Sequence, residues 1–96
     1  MIDYLIMSGI SKNTIDELRK RTSQFHSLEL NQEECIKIIT YLRFLGISSI
    51  DEILLYRPEL FLCTKEEVVS MVEKNDIRRV IYEININYEN IDKLFD

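Results

Sequence analysis

"LGISSIDEILLYRPEL", residues 45–60, holds one of the two glycines and the only proline of a 96-residue chain. Gly46 is placed to end a helix in the left-handed conformation that glycine adopts without steric penalty. Ser49 followed by Glu52 has the form of a capping box, which opens the next helix. Ile50, Ile53 and Leu54 form that helix's apolar stripe. Pro58 stops it near Tyr56, because a proline disfavours the α region at the residue before it. The stretch reads as stop, start, stop, and this punctuation makes short helices the unit of the chain.

The same signals recur on both sides. Upstream, Asn31 and Glu34 in "NQEE" predict another capping box, with Leu30 and Cys35 as its hydrophobic staple. "CIKIITYLRFL" then sets Cys35, Ile38, Ile39, Leu42 and Leu45 on one face at helical period. Downstream, Thr64 and Glu67 in "TKEE" predict a third box, stapled by Cys63 and Val68, ahead of a helix with Val68, Met71 and Val72 inward. A helix from about Asp76 buries Ile77, Val80, Ile81 and Ile84, and "NYENIDKLF" adds a last short turn. "SKNTIDELRKRTSQF", residues 11–25, predicts one helix with Ile15, Leu18 and Phe25 inward, then a loop carrying His26. "EININY" at 83–88 alternates like a strand but has no partner, so the expected class is all-α.

The stretch also echoes an earlier one. "YLIMSGIS" at 4–11 aligns with "YLRFLGIS" at 41–48, a shift of 37; "IDEL" at 15–18 aligns with "IDEI" at 50–53, a shift of 35; "NQEECIKII" at 31–39 aligns with "TKEEVVSMV" at 64–72, a shift of 33. The order of signals is kept, and the length changes fall between helices, where loops tolerate them. A partial third unit begins near "EKNDIRRVI". Helical units that cannot cover their own apolar faces do so by stacking. The expectation is one domain over residues 1–96, a short stack of about five to six helices in two to three units.

Residues 45–68, "LGISSIDEILLYRPELFLCTKEEV", resemble the repeat of the mTERF family, the mitochondrial transcription termination factors. That repeat runs Leu-Gly, a polar cap, a short helix, a proline followed by apolar residues, then a second cap and helix. Leu45, Gly46, Ser48, Ile50, Ile53, Pro58, Leu60, Phe61, Leu62 and Thr64 follow this order. The resemblance implies a right-handed superhelix of three-helix units whose basic inner surface holds nucleic acid. The first copy departs from it, with Ser23 to Phe25 where the proline would fall.

Net charge is −5, which opposes non-specific binding to phosphate backbones. The densest positive run is Arg19, Lys20 and Arg21. With Arg78 and Arg79 it forms the candidate nucleic-acid contact, the competing reading being cations that compensate a helix C-terminus. The acidic pairs Glu33–Glu34, Asp51–Glu52 and Glu66–Glu67 fall in first helical turns, where capping and the helix dipole account for them. His26, the one histidine, has no Ser or Cys beside it in a nucleophile motif, and no catalytic residue is assigned. Cys35 and Cys63 lack metal-ligand spacing and read as reduced, apolar packing groups. No cofactor or metal is expected. "MIDYLIMSG" lacks the basic region of a secretory signal, and the longest apolar runs are about four residues, so a cytoplasmic protein away from membranes is expected. These readings converge on a non-enzymatic interaction module that binds a protein partner or itself. The alternative is an mTERF-like nucleic-acid-binding domain with a regulatory role.

Overall fold

Two helix ends close in the same way. At the first, the Ser8 N–H donates to the Tyr4 carbonyl, the Gly9 N–H to Ile6 and the Ile10 N–H to Leu5; at the second, Leu45 donates to Tyr41, Gly46 to Arg43 and Ile47 to Leu42. Every partner is shifted by 37 residues along the chain. Both are Schellman ends: a left-handed glycine turns the chain, and the next residue bonds and packs back on the helix. Gly9 and Gly46 have φ of +86° and +93°, and Ile10, Leu5, Ile47 and Leu42 are all buried.

The structure is a computed structural model that describes residues 3–95. Met1, Ile2 and Asp96, and with them the ends of the domain expected over 1–96, lie outside the described residues. The α-helices are α1, Asp3–Met7; α2, Lys12–Arg19; α3, Thr22–Leu30; α4, Gln32–Phe44; α5, Ile50–Tyr56; α6, Lys65–Glu73; and α7, Ile77–Ile86. Two 3₁₀ segments cover Pro58–Leu62 and Tyr88–Phe95. The described residues contain no strand, so the all-α class holds, and the strand-like "EININY" continues α7 as far as Ile86.

The elements outnumber the five or six expected: α1 adds one ahead of the predicted helices, and two more arise for local reasons. The single helix read over 11–25 breaks at Arg21, whose φ of −103° and ψ of +70° leave the α region. The chain re-enters helix at Thr22 and continues to Leu30, which places His26 on an exposed helical position and not in a loop. The second reason is Pro58, whose fixed φ suits the first residue of a helical turn. It starts a five-residue 3₁₀ segment that buries Leu60 and Phe61, and Phe61 is completely enclosed. The first copy, without a proline, runs nine residues of α-helix in that place.

One of the three predicted capping boxes forms. Thr64 accepts from the Glu67 N–H at 3.2 Å while the Glu67 carboxylate takes the Thr64 N–H at 2.8 Å, a complete box. Ser11 and Asp76 cap α2 and α7. Asn31 and Ser49 form no side-chain cap, because their ψ of +28° and +39° differ from the extended backbone of a capping residue. Asn31 instead donates its amide to the Phe61 and Cys63 carbonyls at 2.9 and 3.1 Å. Glu34 crosses to the start of α6, accepting the Lys65 N–H at 2.8 Å. Leu30 is 77 % exposed and forms no staple on Cys35.

One buried cluster joins all the helices, from Leu5 and Ile15 through Leu28, Ile38, Ile39, Leu42, Ile53 and Leu54 to Val72, Ile84 and Leu94. Within it α1 packs on α4 and α4 on α6, α2 packs on α5, and α3 packs on the Pro58–Leu62 segment. The Tyr88–Phe95 segment lies against α5 and α7. Polar clasps fasten these layers. Asp51 accepts from the Ser11 N–H at 2.8 Å and the Thr14 hydroxyl at 3.0 Å. Asn85 accepts from the Ser48 N–H at 3.0 Å and donates to the Gly46 carbonyl at 2.9 Å. Asp92 takes the Tyr56 hydroxyl at 2.6 Å and the Arg57 Nε at 2.8 Å, with the Arg57 guanidinium 4.4 Å from the centre of the Phe95 ring.

Candidate functional site

Helix α4 has more apolar residues than its inward face can use. Cys35, Ile38, Ile39 and Leu42 are buried, as their period predicts. Ile36, Tyr41 and Phe44 lie off that stripe. Ile36 is 38 % exposed and Phe44 85 %, while Tyr41 is half-buried against the core. Together with Lys37, Thr40 and Lys65 they line a groove of about 460 Å³. Lys65 comes from the first residue of α6, held there by the Glu34 contact to its backbone.

The lining combines three apolar side chains, Ile36, Tyr41 and Phe44, with two cations, Lys37 and Lys65. The Thr40 hydroxyl donates to the Ile36 carbonyl at 2.9 Å, so it is satisfied within the helix. The Lys65 ammonium sits 6.0 Å from the centre of the Tyr41 ring, a cation–π distance. Lys37 pairs with Glu34 at 3.3 Å. The Lys65 backbone N–H, and then Lys37, hold the Glu34 carboxyl below the usual carboxylate range, while partial burial raises the Tyr41 phenol. Helical period alone does not single out Ile36, Tyr41 and Phe44. The available signal was apolar side chains left over once the helix's stripe had been assigned.

The predicted basic residues fall in separate places. Arg19, Lys20 and Arg21 are exposed at the break between α2 and α3. Lys20 pairs with Glu17 at 3.1 Å, and the Arg21 guanidinium donates to the Leu55 carbonyl in the last turn of α5. Arg21 thus covers a helix C-terminus, that of α5 and not of its own helix. Arg78 and Arg79 are exposed in the first turn of α7, which packs on α6 and the Tyr88–Phe95 segment and not on α2. Arg79 and Lys93 converge on Glu83 at 3.6 and 2.8 Å, in a cleft of about 380 Å³ that Lys74 and Asp76 also line. The contact to Lys93 keeps the Glu83 carboxyl below its ordinary range.

The remaining titratable groups have structural surroundings. Cys35 is buried, and desolvation pushes its thiol up to about 12, which leaves no reactive thiolate near neutral pH. Beside it lies the buried Tyr4 hydroxyl, whose pKa is raised by burial first and then by the neighbouring Cys35 thiol. Cys63 is half-buried, its thiol also raised by burial. Among the described residues no group of His, Cys, Asp and Glu is arranged to hold a metal ion, and no helix is long and apolar enough to cross a membrane. Comparison with protein-family models, with curated proteins and with solved structures finds no match to this chain.

Proposed function

We propose that this chain is a non-enzymatic helical-repeat interaction module, a short right-handed stack of two to three units that binds a protein partner. The observation that carries the reading is the groove on α4, where Ile36, Tyr41 and Phe44 form an apolar surface that the described elements leave open. Apolar residues collected in one concavity mark a contact surface more strongly than the same residues scattered singly. The paired Schellman ends, and the packing of α1 on α4, α4 on α6 and α2 on α5, support the stack. The mTERF resemblance would add nucleic-acid binding. That reading has less support, because Lys20, Arg21 and Arg79 are engaged within the chain and the two basic groups lie on different helices.

Fluorescence anisotropy with labelled DNA and RNA at low salt separates the two. No binding is expected. Steeply salt-dependent binding that weakens in the Arg19→Ala, Arg21→Ala double variant would overturn the protein-binding reading in favour of nucleic acid.

A further inference from the structure

The lining of the α4 groove contains two lysines and no acid, in a chain whose net charge is −5; Glu34, paired with Lys37, and Glu73, which acts on the Tyr41 phenol, stand outside that lining. Resting on the interaction-module reading, we propose that this groove takes an amphipathic helix of a partner protein, apolar on one face and acidic along its flanks.

The groove's dimensions favour a helix. Ile36 to Phe44 is nine residues of α4, about 12 Å from first to last at helical rise. That length accommodates about two turns of a second helix laid alongside, with anchors at i, i+3 or i+4, and i+7. An extended segment gains most of its affinity from main-chain pairing at a sheet edge, and the described residues contain no strand to offer one. Charge then selects the flank. The Lys65 ammonium rests over Tyr41 at the groove's edge, within reach of a carboxylate entering beside that ring. Lys37 pairs with Glu34 at the surface, its side chain 56 % exposed, and such pairs are held weakly enough to be shared with an incoming acid.

The chain's own exposed strip on α7 fits this groove poorly. Tyr82 and Ile86 are 67 % and 65 % exposed, but Arg78 lies one turn before Tyr82 on the same face. Docking α7 of a second copy would bring a guanidinium toward Lys37 and Lys65. An acidic flank meets those lysines with opposite charge.

The test uses the full chain and two fluorescent helical peptides of about 16 residues, with identical leucines at i, i+4 and i+7 and flanks of either glutamate or lysine. The glutamate peptide is expected to bind at least about tenfold tighter than the lysine peptide, with the gap narrowing as salt rises. Lys37→Glu with Lys65→Glu is expected to reverse that order. Phe44→Ala is expected to weaken the glutamate peptide at least about tenfold, with the thermal melt unchanged because Phe44 is 85 % exposed. Equal binding of both peptides, lost in Phe44→Ala, overturns the acidic helix and keeps the interaction module. Failure of both peptides, with a concentration-dependent dimer in light scattering that Phe44→Asp abolishes, overturns it in favour of a second copy. Failure of both peptides by a strict monomer overturns both readings.

Discussion

Gly9 and Gly46 hold left-handed backbone for the same purpose but in different surroundings. A methyl group at Gly46 would meet nothing within 4 Å, so Gly46→Ala isolates the backbone cost. At Gly9 the added Cβ would lie 2.7 Å from an Arg43 guanidinium nitrogen, the end of a flexible, exposed side chain that can move away. Both substitutions are expected to destabilise by about 1–2 kcal/mol, the left-handed penalty of an L-residue. Urea denaturation should show a lower midpoint at unchanged slope in each case. A Gly46→Ala variant as stable as the wild type would mean that the Schellman end contributes nothing. Gly46's role was legible in the sequence because it depends on one residue's missing Cβ. The contact between Gly9 and Arg43 was not, since the two residues are 34 positions apart.

At the scale of elements, the three predicted capping boxes have one chemistry and two outcomes. Thr64 has extended backbone, and both hydrogen bonds of the box form; Ser49 carries the same sequence signal, with Glu52 three residues on, and makes none. Thr64→Ala should therefore cost about 1 kcal/mol, while Ser49→Ala should stay within about 0.5 kcal/mol of wild type. Parallel melts of the two variants check the contrast, and equal losses would contradict it. The reason lies in tertiary demand. Asp51, two residues after Ser49, is drawn to the amide of Ser11, and the side chain of Asn31 is committed to carbonyls at the end of the Pro58–Leu62 segment. Asn31 loses its cap to distant carbonyls that engage its side chain, and Ser49 loses its cap because its backbone is not extended.

For the whole molecule, the C-terminal segment depends on the clasp at Asp92. Its carboxyl lies below the ordinary aspartate range, first through the Tyr56 hydroxyl and then through Arg57. A depressed folded-state pKa stabilises at pH above the unfolded value, about 3.9, and that contribution is lost as pH falls through the folded pKa. Asp92→Asn should accordingly lower the melting temperature at neutral pH, and the gap from wild type should close below about pH 4. A gap that stays constant down to acid pH would show that the clasp acts through shape and not through charge.

The sequence by itself determined the all-α class, the positions of Gly46 and Pro58 as punctuation, the inward stripes of α4, α5 and α6, and the box at Thr64. Each follows from helical period or from one residue's backbone freedom, and both act over a few positions. Tertiary structure alone decided the break at Arg21, where that residue's guanidinium reaches the end of α5, and the use of Asn31, Glu34 and Asp51 as ties between distant helices. It also decided which apolar residues of α4 stay open. Ile36 and Phe44 are as hydrophobic as Ile38 and Leu42; the placement of α1, α3, α5, α6 and the Pro58–Leu62 segment around α4 determines which of them is covered.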